Sequence, residues 1–235
     1  HGGERWNSSS TSVEAFRQGM RAILHAAPDA WFVGANHPTW PSLGLLHASR
    51  LSGDVFRIWP AIKTAAREAL LRRWQTPTLW QADPDVLLLG HGTSPALPRN
   101  EALFHASVAL AVGGQLLSGD ELGSMTSEAV SWLAKLLAAP RWRDGRGPEW
   151  ETSRMQAGTA RWEDGGLVLF LMNWDDSDAV LSTSLLEHCV RCILSDFWGD
   201  LAPSEHIGGL LSIALPPRTA TVWIVAEEDV KRNHG

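Results

Sequence analysis

Residues 47–74 read HASRLSGDVFRIWPAIKTAAREALLRRW. A short strand candidate around His47 to Leu51 runs into the polar exit Ser52-Gly53-Asp54. A long helix then extends from about Ile58 to Trp74, with Pro60 in its first turn, where proline is tolerated. The same order recurs on either side. Upstream, Ser12 is a candidate cap for a helix whose Val13, Phe16, Met20, Ile23 and Leu24 share one face. The apolar run Ala30 to Gly34 follows, and Pro41 to Leu46 is a candidate short helix. Downstream, Thr78 to Trp80 reads as a third strand with the exit Gln81-Ala82-Asp83-Pro84-Asp85. Arg99 to Val112 is a helix, Gly114 to Leu117 a fourth short strand, and Thr126 to Ala138 a closing helix. Four strand-then-helix units imply buried parallel strands with helical crossovers, an α/β architecture. No glycine-rich phosphate loop of the GxGxxG type follows any strand.

Beyond Pro140 the texture changes. Arg141 to Pro148 is a Gly/Arg/Pro/Asp-rich connection. Short strand candidates follow at residues 158–162, 167–173, 189–196, 210–215 and 221–225. Glu163-Asp164-Gly165-Gly166 supplies a hairpin-type turn. This region reads as a small antiparallel β-sandwich, and residues 227–235 as a polar, frayed end.

Composition narrows the function. The chain has 235 residues, 44% hydrophobic and 20% charged, with a net charge of −6. That is ordinary globular chemistry. No basic field exists for a nucleic acid, and no apolar run is long enough for a membrane helix. Two cysteines exclude a disulfide-rich scaffold, and sparse cysteine agrees with a cytoplasmic setting. The thirteen Trp against no Tyr are unusual. Indole faces stack well on sugar rings, but large aromatics are also simply buried.

Two clusters carry candidate chemistry, both at strand exits. Arg50-Leu-Ser-Gly-Asp54 puts a guanidinium and a carboxylate together. A retaining glycosidase needs two carboxyl groups, one nucleophile and one acid/base. The competing reading of Asp54 is a cap for the helix that follows. Asp83-Pro84-Asp85 offers two carboxylates for sugar hydroxyls or a cation, against a plain turn. His37, His47, His91 and His105 lack metal-ligand spacing, so no metal or other cofactor is expected. Cys189-Val-Arg-Cys192 lies on a candidate strand, where residues three apart face opposite sides, so buried core thiols are expected. His91-Gly-Thr-Ser94 lacks the second glycine of a nucleophile elbow. Asn7-Ser-Ser9 matches a glycosylation pattern that is common by chance.

In their order along the chain, these stretches resemble the α-galactosidase (melibiase) clan of retaining glycoside hydrolases. His1-Gly-Gly-Glu-Arg5 resembles the loop after the strand that bears the clan's nucleophile. Phe32 to Pro38, with Pro41 to Gly44, resembles the next strand and its sugar-binding loop. Many relatives have cysteine and glycine where this chain has Ala35 and Asn36. Arg50 to Asp54 resembles the RxxxD segment, Leu79 to Leu88 the WxNDPDxLL segment, and Val112 to Leu122 the last strand and its acidic loop. Asn173-Trp174 and Asp196-Phe-Trp198 resemble signatures of the C-terminal sandwich.

The resemblance implies the C-terminal half of a (β/α)8 barrel, residues 1–140, followed by a β-sandwich, residues 150–228. A whole barrel takes about 250 residues, so four units take roughly 125. It implies a retaining α-galactosidase with Asp54 as acid/base. Arg50, Asn36, His37, Trp40, Asp83 and Asp85 are the implied carbohydrate-binding residues. The implied nucleophile lies upstream of His1, so the N-terminal half of the barrel is an expected requirement and the chain alone is expected to be inactive. The alternatives are an α-N-acetylgalactosaminidase, a β-L-arabinopyranosidase, an α-glucan-active enzyme, or a non-catalytic carbohydrate-binding fragment.

Overall fold

The structure is a computed structural model that describes residues 9–90 and 96–227. The chain begins with helix α1 (Ser12–Ala26) and strands β1 (Val33–Gly34) and β2 (Ala48–Arg50). Helix α2 (Trp59–Arg72), strands β3 (Gln81–Asp83) and β4 (Val86–Leu87), helix α3 (Arg99–Val112), strand β5 (Leu117–Ser118) and helix α4 (Ser127–Ala138) complete the α/β portion. β1, β2 and β3 form one parallel sheet, and β4 pairs with β5, also in parallel. Eight antiparallel strands follow: β6 (Glu149–Trp150), β7 (Ala157–Arg161), β8 (Leu167–Asn173), β9 (Ala179–Ser184), β10 (Arg191–Asp196), β11 (Ser204–Ile207), β12 (Leu210–Leu215) and β13 (Thr219–Glu227). Six of them form one sheet in the order β11-β10-β13-β8-β7-β6, and β12 pairs with β9. No helix among the described residues is long and apolar enough to cross a membrane.

Side-chain alternation explains the layering. On β8, Leu167, Leu169 and Leu171 point to one face and Val168, Phe170 and Met172 to the other, and all six are buried. The first set packs with Leu181, Leu211 and Leu215 of the two-stranded sheet. The second set joins Phe104, Trp59 and the apolar faces of α2 and α3. A strand buried on both faces loses the usual apolar–polar alternation, which is why β8 reads as a continuous apolar run. From Glu101 to Val112, α3 is buried throughout, since it lies between the parallel strands and the six-stranded sheet.

Local chemistry sets the helix ends. Thr11, one residue before the expected cap, closes α1 with a capping box in which its hydroxyl accepts from the Glu14 N–H and Glu14 reaches back. The Thr126 hydroxyl caps α4.

Four expectations shift. The third strand is not Thr78–Trp80 but Gln81–Asp83, with Asp83 in register with Arg50. The fourth strand starts at Leu117 rather than Gly114, because Gly113 and Gly114 take positive φ. Residues 39–45 form successive turns rather than a helix. Cys189 and Cys192 are joined in a disulfide, not held as free thiols. The strand begins only at Arg191, so Cys189 sits in the preceding turn, and its Cα lies 6.0 Å from that of Cys192, within the reach of a bridge. His1 to Arg5, most of Asn7-Ser-Ser9, His91 to Ser94 and residues 228–235 lie outside the described residues.

Candidate active site

The ends of β2 and β3 create the central feature. Parallel register sets Arg50 beside Asp83. The Arg50 Nε donates to Asp83 Oδ2 at 2.9 Å, and its Nη1 lies 2.9 Å from Asp85 Oδ2. Both carboxylates are buried, with side chains only 2% and 7% exposed. Their remaining capacity goes to backbone. Asp83 Oδ1 accepts the Asp85 N–H, Asp85 Oδ1 accepts the Val86 N–H, and Asp85 Oδ2 also accepts the Val55 N–H. Asp85 holds φ at +77°, a conformation that aspartate tolerates better than most residues. Both carboxylates of Asp83-Pro84-Asp85 are thus bound to Arg50 and to backbone N–H groups, at the link between β3 and β4 and at Val55.

Asp54 differs. Its Oδ1 is 3.6 Å from Arg50 Nη1, and its side chain is 79% exposed. Asp54 does not cap the helix that follows, because α2 begins at Trp59 with Ile58 as a cap that makes no side-chain bond. The Ser52-Gly53 turn before it is gripped from behind by α2. The Gly53 N–H donates to Glu68 Oε2 at 2.8 Å, and Arg72 Nη1 donates to the Leu51 carbonyl at 2.7 Å. Glu68 and Arg72 are one helical turn apart and 3.9 Å from each other. In sequence they look like an ordinary solvated i,i+4 pair, and only the fold shows that they hold the loop of Asp54.

A cavity of about 620 Å³ opens here, lined by Asn36, His37, Ser49, Arg50, Asp54, Glu68, Arg72 and Gln75, among others. Of the expected site residues, Asn36, His37, Arg50 and Asp54 therefore come together. Asp83 and Asp85 lie behind Arg50, outside the lining. Trp40 is 68% exposed and also outside it.

His37 is fixed at both nitrogens, Nδ1 at 2.9 Å from Ser42 Oγ and Nε2 at 2.8 Å from Ser49 Oγ. The Ser42 hydroxyl donates to the Pro38 carbonyl, so it accepts from Nδ1–H. Burial holds the imidazole below its usual range, against a smaller opposing effect of the Pro38 backbone. Asn36 occupies the left-handed region at φ +50°.

A second Arg–Asp pair secures the neighbouring exits. Arg57 pairs with Asp120, whose other oxygen accepts the Leu89 and Gly90 N–H groups. Among the described residues, no group of three or more His, Cys, Asp or Glu side chains converges to hold a cation. Chemically, the cavity holds the exposed Asp54 carboxylate and the half-buried Glu68 carboxylate, beside a guanidinium that two buried carboxylates keep in place.

The fold is similar to that of solved α-galactosidases and of a β-L-arabinopyranosidase. The α-galactosidase I of Mortierella vinacea superposes with a TM-score of 0.73 over 94% of this chain, at 12% sequence identity. The β-L-arabinopyranosidase of Geobacillus stearothermophilus matches 95% at the same TM-score and 17% identity. The α-galactosidase of Saccharomyces cerevisiae matches 94% with a TM-score of 0.68 and 12% identity. The chain spans 65%, 56% and 70% of the lengths of these proteins. Arabinose and raffinose complexes are known for the second and third. No family model matches the chain.

Proposed function

We propose that this chain is the C-terminal part of a retaining glycoside hydrolase acting on terminal α-galactosides. On this reading residues 1–140 are the second half of a (β/α)8 barrel and residues 150–228 a β-sandwich. One observation carries it: an exposed carboxylate, Asp54, follows a parallel strand whose last residue, Arg50, is locked by two buried carboxylates. Catalytic groups of such barrels sit at these strand ends. Asp54 protonates the departing glycosidic oxygen, then takes a proton from the water that attacks the glycosyl-enzyme ester. The nucleophilic carboxylate comes from an upstream segment, so turnover requires the N-terminal half of the barrel. Arg50 binds the sugar near its 2-hydroxyl. Asn36 and His37 line the pocket, Trp40 is a stacking surface at its edge, and Asp83 and Asp85 act through Arg50. A β-L-arabinopyranosidase is a second reading, supported by the equal fold likeness to that enzyme.

The test is Asp54→Ala in the protein extended to include its upstream half. Hydrolysis of unactivated α-galactosides should fall by about 100-fold or more, that of activated aryl substrates by less, and azide should restore turnover. Near-normal activity on an unactivated substrate refutes the assignment. A panel of nitrophenyl α-galactoside, α-N-acetylgalactosaminide, β-L-arabinopyranoside and α-glucoside fixes the sugar.

A further inference from the structure

A second cavity, of about 750 Å³, lies at the other end of the parallel strands. Its size falls within the range of small-molecule sites. The Asp54 cavity is built from residues that end or follow β1 and β2, backed by Glu68 and Arg72 of α2. The second one is built from residues that precede or open the strands: Trp31 before β1, His47 before β2, Gln81 at the start of β3, and Gln115 before β5. Trp31 is 57% exposed and lies flat on His47, with ring centroids 4.7 Å apart at 23°. The His47 ring is itself held, since its Nδ1 accepts the Phe32 N–H at 3.0 Å. The indole is thus a backed platform rather than a loose surface residue. Trp142 and Trp162, stacked at 3.8 Å, form another wall, pinned by a Trp142 Nε1 bond to the Leu110 carbonyl.

Polar character is equally specific. The last turns of α3 and α4 reach the same space. The α4 C-terminus presents carbonyl oxygens without intrahelical donors at the negative end of its dipole, whereas the Ala109 and Leu110 carbonyls of α3 are already taken by the Gly113 N–H and the Trp142 indole. Gln115 Oε1 is buried with no partner among the described residues, and the terminal torsion of Gln turns at little cost. Arg141 and Glu163 contribute one charge of each sign. Flat indoles, carbonyl acceptors, an amide and no net charge match a neutral ring with an apolar C–H face and hydroxyl donors on its edge. We infer that this cavity is a saccharide-binding site separate from the Asp54 cavity. A quaternary ammonium also suits indoles and carbonyls, but the Arg141 guanidinium opposes it. Saccharide capture here does not depend on any chemistry at Asp54.

The test is calorimetric titration of the chain with galactose, arabinose, melibiose and choline. At least one sugar should bind, and Trp31→Ala should weaken it by about fivefold or more, the size of one aromatic contact, with Trp31→Phe in between. Asp54→Asn should leave affinity within about twofold. If Trp31→Ala does not fold, Gln115→Ala serves, since it removes the amide and keeps the platform. Absence of sugar binding overturns the inference. So does binding that is lost with Asp54→Asn and kept with Trp31→Ala, or a preference for choline.

Discussion

The Arg50 cluster predicts an order of stabilities that its sequence spacing does not suggest. Asp83→Ala removes one of two buried acceptors from a guanidinium that is itself only 18% exposed. Breaking a buried pair costs about 3–5 kcal/mol. Arg50 keeps Asp85 at 2.9 Å, which places the loss near the lower figure. The Asp85 N–H also loses its acceptor, adding about 1 kcal/mol. The expected cost is thus about 3–4 kcal/mol. With an m-value of about 3 kcal/mol/M in urea, the midpoint should fall by roughly 1 M. Arg50→Met should cost more, because it leaves two buried carboxylates without their cation. Asp54→Ala should cost less than about 0.5 kcal/mol, since its carboxylate is largely in water. Urea unfolding followed by Trp fluorescence reads all three. If Asp54→Ala destabilises as much as Asp83→Ala, the division between a locked guanidinium and a solvent-exposed carboxylate is wrong.

Burial holds both His105 and His37 below the usual imidazole range, in each case against smaller opposing effects. Near and below pH 6.5, the unfolded value, the unfolded chain therefore binds protons that the folded chain refuses. Stability is full above that pH and falls as pH drops through the window. Thermal melts between about pH 7.5 and 5.5 should show the slope, and His105→Asn should flatten it; an unchanged slope in that variant removes His105 as a cause. Gly114 has φ +91°, and a Cβ there would meet the Ala82 carbonyl oxygen, so Gly114→Ala should cost at least about 2 kcal/mol. Gly19 lies within α1 with nothing near its Cβ position, so Gly19→Ala should gain about 0.5–1 kcal/mol; equal effects at the two sites in chemical denaturation contradict this. A thiol titration in denaturant should find no reactive thiol until reductant is added, and two afterwards. Thiols reactive without reductant would count against the pairing.

The parts of the fold that sequence revealed best are those marked by a long, nearly unbroken apolar run. α3 and β8 are apolar on more than one side because each is covered on two sides, and their boundaries were readable for that reason. The third strand was misplaced because Leu79 and Trp80 look like a strand and Gln81-Ala-Asp83 does not. Its stability comes from backbone pairing with β2 and from the ion pair to Arg50, neither of which hydrophobicity reports. β9 escaped notice for a related reason. Its exposed side carries Val180, Ser182 and Ser184 and its inner side Leu181 and Thr183, so polar and apolar residues fall on both faces. That Arg50, Asp54, Asp83 and Asp85 gather at strand exits was visible in the sequence, but which of them are buried was not. Burial separates the two holding carboxylates from the exposed one. The supporting pair Glu68 and Arg72 is encoded only in how α2 packs behind the loop.

The antiparallel sheet bears on the site through that same packing. Arg218, just before β13, pairs with the buried Glu101 of α3 and with Asp176, and lies over Trp59 of α2 at 5.6 Å. Lys63 of α2 donates to the Trp174 carbonyl, Asn100 to the Pro217 carbonyl, and Trp198 Nε1 to Ser107 Oγ on α3. Val168, Phe170, Met172, Ala220 and Val222 cover the apolar side of the two helices. α2 is therefore held on its far side by the sheet and on its near side by the loop of Asp54. A helix fixed at both surfaces has little freedom to shift, because close-packed interiors transmit strain rather than absorb it. The placement of the Ser52-Gly53 turn, and with it Asp54, thus depends on residues more than a hundred positions downstream that never touch the cavity.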